Sequence, residues 1–279
     1  MKYYSVLWID DECDKLNDFI VNAEQDGIYI TSYKTAKDGL KALKENLDLW
    51  DGIILDGKFY SNSENEKADI NALFSAKEEL VRLQSKRYIP WFVYTGQPDL
   101  LSDEMFNKWL NGRRYYAKAK ADVEGDEDQM FEDIKKEADK QIPTQVRHKY
   151  DNVFGIIPNS DNLLLDILMG MEQNRTNVPE YFNEIRKMIE SIAIYLNIKG
   201  ALPIPFESSN LSECSRYIGG SSEFPVYIQR SFHSCVQVCN DGSHRSEIDK
   251  KVRNNEIRYL LRSTIFELLN ILEWCKTLK

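Results

Sequence analysis

No apolar run in this sequence reaches the twenty or so residues needed to cross a bilayer, and its amino terminus lacks a basic segment followed by an apolar stretch, so a cytoplasmic chain is expected. Cysteine is scarce. Five of them, an odd number at irregular spacing and without a signal peptide, point to free thiols rather than a disulfide framework. Positive charge is in deficit: 36 Lys and Arg stand against 45 Asp and Glu, and the net charge of −9 disfavours broad nucleic-acid affinity, although a local basic face remains compatible with it. There are three histidines and no close Cys-x-x-Cys or His-x-x-x-His pair, so His233, Cys235, Cys239 and His244 read as buried thiols and packing residues rather than a zinc site. The basic run from Arg245 through Lys250, Lys251, Arg253 and Arg258 to Arg262 is interleaved with Glu247, Asp249 and Glu256, as on a solvated helix face. No helix-turn-helix with a basic recognition helix is visible, so DNA is not an expected partner. What remains is 279 residues of globular composition, 42% hydrophobic and 29% charged, enough for two domains with separate cores.

The informative stretch is Ser5-Val-Leu-Trp-Ile-Asp-Asp-Glu12, an apolar run that stops at three carboxylates. Such a run reads as a buried strand. In an open parallel sheet, ligands collect at the carboxyl ends of strands. Crowded carboxylates there repel one another unless a cation lies between them, and hard oxygen ligands suit magnesium. Taken alone, Asp10-Asp11-Glu12 would more often be a helix N-terminus with favourable dipole interactions than a metal site. Three further segments change that balance. Residues 51–56 run into Asp56, Ile89 to Gly96 passes through Thr95, and Arg114-Tyr-Tyr-Ala-Lys118 ends in an amine.

Four strand-like segments therefore finish, in order, in an acid pair, an acid, a hydroxyl and a lysine. That series resembles the receiver domain of two-component response regulators, over roughly the first half of the chain. The resemblance implies that Asp10 and Asp11 are the metal-binding acidic pair and Asp56 the phosphoacceptor. It also implies that Thr95 and Lys118 contact the phosphoryl group, that Tyr115 is the aromatic switch, and that the backbone carbonyl of Lys58 joins Asp10, Asp11 and Asp56 around Mg2+. Read from the residues alone, Tyr115 is also compatible with simple packing and Lys118 with a solvated edge-strand lysine. Three features depart from the family pattern: Gly57-Lys58-Phe59 replaces the usual methionine and proline, the loop to Lys67 is long, and Ala119 stands where proline normally follows the lysine.

Along the chain, helical spacing is expected over Lys15–Ala23, Lys34–Asn46, Ala68–Ser85, Leu101–Leu110 and Glu127–Lys140. Strands are expected at Tyr29–Tyr33, at 51–56, from Tyr88, and near Arg113–Ala117. Alternating strands and helices predict a doubly wound α/β domain with a five-stranded parallel sheet over residues 1–142. A linker is expected over 143–160 and an all-α bundle over 161–279. In the second half, helices are expected at Asp161–Met169, from Pro179 through Leu196, at Val226–Val238, and as one closing helix over Glu256–Leu278, with Ala201–Pro225 a long loop. This half resembles, more faintly, HEPN-type helical domains, through Ile185–Glu190, Asn240–His244 and the long closing helix. The arginine that nuclease members of that group place four to six residues before a histidine is missing ahead of His244, so ribonuclease activity is not expected.

The function expected is that of a response-regulator-like signalling protein rather than an enzyme. A sensor histidine kinase or phosphotransfer protein would donate the phosphoryl group, and the helical domain would act through contacts or homodimerisation. The alternative is a pseudo-receiver adaptor that works without phosphorylation.

Overall fold

Val6, Leu7, Trp8 and Ile9 have no solvent exposure, and they form most of the first strand, β1 (Tyr4–Ile9), of a computed structural model of the chain. Residues 2–97, 100, 104–110, 115–118, 125–173, 180–203, 211–242, 247–254 and 256–278 are described. They fall into two compact units, Met1–His148 and Lys149–Lys279.

In the first unit β1 is joined by β2 (Ile28–Tyr33), β3 (Gly52–Leu55), β4 (Trp91–Thr95) and β5 (Tyr115–Ala117). All four pairings are parallel and the order is β2-β1-β3-β4-β5. Parallel sheets need both faces covered, which is why their strands read as continuous apolar runs. Leu7, Ile9, Ile53, Leu55 and Val93 face a core built with α2 (Ala36–Glu45), α3 (Ile70–Gln84) and α4 (Glu104–Leu110). Val6, Trp8, Ile54 and Tyr94 face the other, with α1 (Asn17–Gln25) and α5 (Glu127–Ala138). Each fully buried aliphatic or aromatic side chain contributes about 1.5–3 kcal/mol. The order and the alternation of strands with helices make this the expected doubly wound five-stranded α/β fold, with the strand order of flavodoxin and receiver domains.

The stretch from Ile142 to Lys149, expected as the start of a linker, is a helix, α6. Pro143 lies in its first turn, where a missing N–H costs nothing. Asp51 holds the helix to the start of β3. This carboxylate is fully buried; it takes a hydrogen bond from Ser5 N at 2.8 Å, the hydroxyl of Thr144 and the guanidinium of Arg147. Arg147 also donates to Asp48 O at 2.6 Å.

Among its described residues the regular elements of the second unit are all helices: α7 (Asp161–Glu172), α8 (Glu180–Ile198), α9 (Leu211–Gly220), α10 (Val226–Gly242), α11 (Glu247–Arg253) and α12 (Leu260–Cys275). Helix α10 packs against α8, α9 and α12 through Phe232, Cys235, Val236 and Cys239. Gly170 of α7 permits a close approach, because a Cβ there would lie 1.7 Å from the Tyr181 hydroxyl of α8.

Two expectations are corrected here. The supposed loop over Ala201–Pro225 contains α9, whose Leu211, Ser215 and Ile218 are buried at helical spacing, so packing overrides weak propensity. The closing helix starts at Leu260 rather than Glu256, after a separate short helix α11. Pro179, Arg113, Arg114, Ala119, Arg245 and His244 lie outside the described residues. Among the described residues no helix is long and apolar enough to cross a membrane.

Candidate functional site

The carboxyl ends of β1 and β3 are neighbours because the strands pair in parallel register, Ile9 beside Leu55. Asp10 and Asp56, the next residue on each, therefore arrive side by side. Backbone bonds fix them: Asp56 N donates to Ile9 O at 2.9 Å and Asp10 N to Tyr33 O at 3.0 Å. Asp11 follows at the turn. Ligand atoms of Asp10, Asp11 and Asp56 lie within 4.8 Å of one another, the candidate metal-binding group found among the described residues.

Lys118, one residue past β5, reaches across the sheet end. Its Nζ is 2.5 Å from Asp10 Oδ2 and 2.8 Å from Asp56 Oδ1, with a side chain only 16% exposed. It is neither a solvated edge lysine nor displaced from the site. The other oxygens are partly satisfied by backbone: Glu12 N donates to Asp10 Oδ1 at 2.8 Å and Lys58 N to Asp56 Oδ2 at 3.1 Å. Asp56 Oδ1 has the ammonium nearby but receives no hydrogen bond of proper direction, and is buried.

Charge crowding shows in the titration behaviour. Burial, and then repulsion from Asp56, push Asp10 up to about 6 despite the opposing pull of Lys118 and the Glu12 amide. Asp11 is raised by burial and by Asp56. Burial pulls the Lys118 ammonium down, but Asp56 and Asp10 outweigh it and the net shift is upward. Three carboxylates face one ammonium, so with all four ionised the site carries excess negative charge. All-oxygen donors and an excess of negative charge suit a hard divalent cation such as Mg2+.

Thr95 ends β4 and is buried. Its Oγ1 accepts from Gln97 N at 3.2 Å, and its carbonyl takes the Lys118 amide at 3.1 Å. Gly57 explains one departure from the family pattern: a Cβ there would lie 2.5 Å from Thr95 Oγ1. Glycine lets the hydroxyl pack directly beside the Asp56 turn. Phe59 explains another, because it is fully buried in the α2–α3 core. Its neighbours tie the long loop down through bridges Thr35–Tyr60 and Phe59–Asp69.

Around these residues is a pocket of about 580 Å3. Asp10, Asp11, Asp56, Lys58 and Lys118 line it; Tyr115 does not, and packs instead, partly buried, on the α2–α3–α4 side of the sheet. Sequence reasoning passed over Tyr60, Glu66 and Gln97, which also line the pocket. Lys58 Nζ donates to Gln97 Oε1 at 3.3 Å, spanning the gap between the β3 and β4 loops. Only the unusual length of the polar loop hinted at Tyr60 and Glu66, and nothing marked Gln97. Elsewhere, His233 Nδ1 is 3.1 Å from Ser215 Oγ, and Cys235 and Cys239 are buried thiols outside any disulfide.

No protein-family model and no curated protein matches the chain. Among solved structures, it is similar to a response regulator receiver domain protein from Clostridium thermocellum, at 19% identity and a TM-score of 0.34, over 49% of this chain and 95% of that one. It is also similar to a response regulator receiver domain protein (CheY-like) from Methanospirillum hungatei JF-1, at 16% identity and a TM-score of 0.35, over 50% and 95%.

Proposed function

We propose that this chain is a receiver-type signalling protein that accepts a phosphoryl group on Asp56 and thereby controls its helical second unit. The single observation that carries this is the meeting of Asp10, Asp11 and Asp56 within 4.8 Å, with the Lys118 ammonium bridging two of them. A carboxylate is a poor nucleophile, so phosphoryl transfer to it depends on placement and electrostatics. An oxygen of Asp56 attacks phosphorus while the bond to a histidine nitrogen of a kinase or phosphotransfer protein, or to the acyl oxygen of a small donor, breaks and leaves with its electron pair. The product is an aspartyl phosphate. Lys118, freed from part of its pairing with Asp56, holds one phosphoryl oxygen, and the Thr95 hydroxyl donates to another. Asp10, Asp11, Asp56 and the Lys58 carbonyl are the groups that would hold Mg2+, which supplies positive charge against the incoming phosphoryl oxygens. Tyr115, on the strand that leads to Lys118, is the proposed reporter of the Thr95 position.

Incubation with acetyl phosphate and Mg2+, followed by intact mass, is expected to give one phosphoryl adduct on the wild type and none on Asp56→Asn. A wild type that stays unmodified by acetyl phosphate and by a panel of histidine phosphodonors would sink the reading. The alternative, an interaction module that works without phosphorylation, is favoured by the altered segment after Asp56, where Gly57-Lys58-Phe59 replaces the usual methionine and proline and Phe59 is buried in the core.

Magnesium should also stabilise the fold. A ligand at a hundred times its Kd adds about 2.7 kcal/mol, and metal binding needs deprotonated ligands. Because burial and then Asp56 push Asp10 up to about 6, the Mg2+-induced rise in Tm is expected to be full near pH 7.5 and to fade as pH falls through about 6. Asp11→Asn should abolish it. Scanning calorimetry at both pH values checks this, and a shift that is equal at pH 5 and 7.5 counts against these ligands.

A further inference from the structure

The long loop after Asp56 forms a wall shared by two depressions. Tyr60 lines the acidic pocket, while the next two residues, Ser61 and Asn62, line a groove of about 870 Å3 between α2 and α3. Backbone bonds stitch the loop to the start of α2: Ala36 N donates to Tyr60 O at 2.8 Å and Lys37 N to Ser61 O at 3.0 Å. Asn62 N in turn donates at 3.1 Å to Glu66 of the acidic pocket. The loop therefore supplies partners for amides that α2 leaves open at its N-terminus, and it cannot shift without disturbing the groove.

The groove has an apolar floor in which Leu40 is partly exposed over Ala36, Ala72 and Ala76, which are themselves buried. Small side chains in that floor allow close approach of another backbone. Lys37, Lys41 and Lys44 stand along its α2 edge at spacings of four and three, one row about 10 Å long. Within a chain of net charge −9, this row gives the groove an excess of one positive charge, three lysines against its two lining carboxylates, Glu45 and Glu79. Lys44 pairs with Glu79 at 2.7 Å and Lys41 with Glu45 at 3.9 Å, and Lys37 has no ion pair among the described residues. Exposed pairs of this kind contribute about 0–1 kcal/mol, so carboxylates from outside can replace them at little cost.

We propose that the groove between α2 and α3 is a docking surface for a partner helix that carries carboxylates along one edge of an apolar face. Grooves of this type hold amphipathic helices through side chains spaced three and four apart, and complementary charge fixes orientation and raises the rate of encounter. Because the loop from Asp56 forms one wall, occupancy of the groove and phosphorylation of Asp56 are linked. That link rests on the phosphoacceptor reading, whereas the docking surface itself does not.

The test is fluorescence anisotropy of a labelled helical peptide of about 18 residues, with glutamates spaced four and three apart beside a Leu/Ala face, titrated with the full chain. Saturable binding is expected, weakened about tenfold by Lys37→Glu with Lys41→Glu, and regained by that double variant with a peptide carrying lysines for the glutamates. Leu40→Asp should abolish binding. Treatment with acetyl phosphate and Mg2+ should change peptide affinity in the wild type and leave Asp56→Asn unchanged. Equal affinity of wild type and the charge-reversed variant would overturn the docking surface, as would absence of binding at about 1 mM peptide, or self-association of the chain that Leu40→Asp disrupts. If Asp56 takes no phosphoryl group, peptide binding persists; if the groove is wrong, the Asp56 adduct persists.

Discussion

Replacing Arg147 with methionine is expected to remove about 3–5 kcal/mol of stability, a large share of the 5–15 kcal/mol typical of a domain. The guanidinium is almost entirely buried and is the only cation that the Asp51 carboxylate contacts among the described residues. Without it, Asp51 keeps the Ser5 amide and the Thr144 hydroxyl but is left as a charge in a dry site. Breaking one side of such a pair costs more than the pair contributes, because the remaining charge stays desolvated. Asp51→Asn in the Arg147→Met background removes that stranded charge, so the double variant should recover part of the loss. Urea denaturation followed by circular dichroism checks both, with the midpoint moving and the slope unchanged. A loss under about 1 kcal/mol, the range of a surface pair, would show that α6 is not held by this contact.

Lys118→Met should act in two opposite directions. In the absence of divalent cations it leaves Asp10 and Asp56 facing each other with no ammonium between them, and a loss of about 3–5 kcal/mol near neutral pH is expected. Asp10 is already pushed up to about 6, and the two influences of Lys118 that oppose this would vanish. A carboxyl group whose folded pKa lies above its unfolded value binds its proton more tightly in the native state. Its stabilising effect is present below about pH 4 and is lost as pH rises through the folded value. The deficit of the variant should therefore be small near pH 5 and large at pH 8. Magnesium affinity should rise, since the competing ammonium is gone, while the yield of aspartyl phosphate falls. Isothermal titration with MgCl2 reads the first and intact mass the second. Weaker Mg2+ binding in the variant would exclude the Asp10–Asp11–Asp56 group as the metal site.

The residues at the sheet end were legible because a buried parallel strand announces itself as an apolar run, and whatever polar residue ends it must sit at the edge of the sheet. Asp10, Asp56, Thr95 and Lys118 all end such runs. Asp51 was not legible, because a carboxylate that begins a strand has the same sequence appearance as a solvated turn, and its partner Arg147 is 96 residues away. Helix α6 carries Pro143 in its first turn and so resembled a break in structure. Helix α9 is made of Ser, Cys and Gly as well as Leu and Ile, and its helicity comes from what it packs against. The role of Gly57 was equally hidden, since only its distance from Thr95 gives the missing side chain a meaning.

Strand β3 is four residues long, Gly52-Ile-Ile-Leu55, and every one of them is buried. A strand with apolar cover on both sides has no inside and outside for its side chains to tell apart, so the usual penalty that fixes pairing register does not apply to it. Sliding by one residue would still leave apolar residues at most of its positions, with Gly52 displaced and Asp51 or Asp56 drawn into the sheet. What such a slide would also do is drag Asp51 away from Arg147 at one end and Asp56 away from Lys118 at the other. The frame of the central strand is thus held by a charge pair at each end, and the ionic contact at its start measures out where the Asp56 carboxylate emerges at its finish.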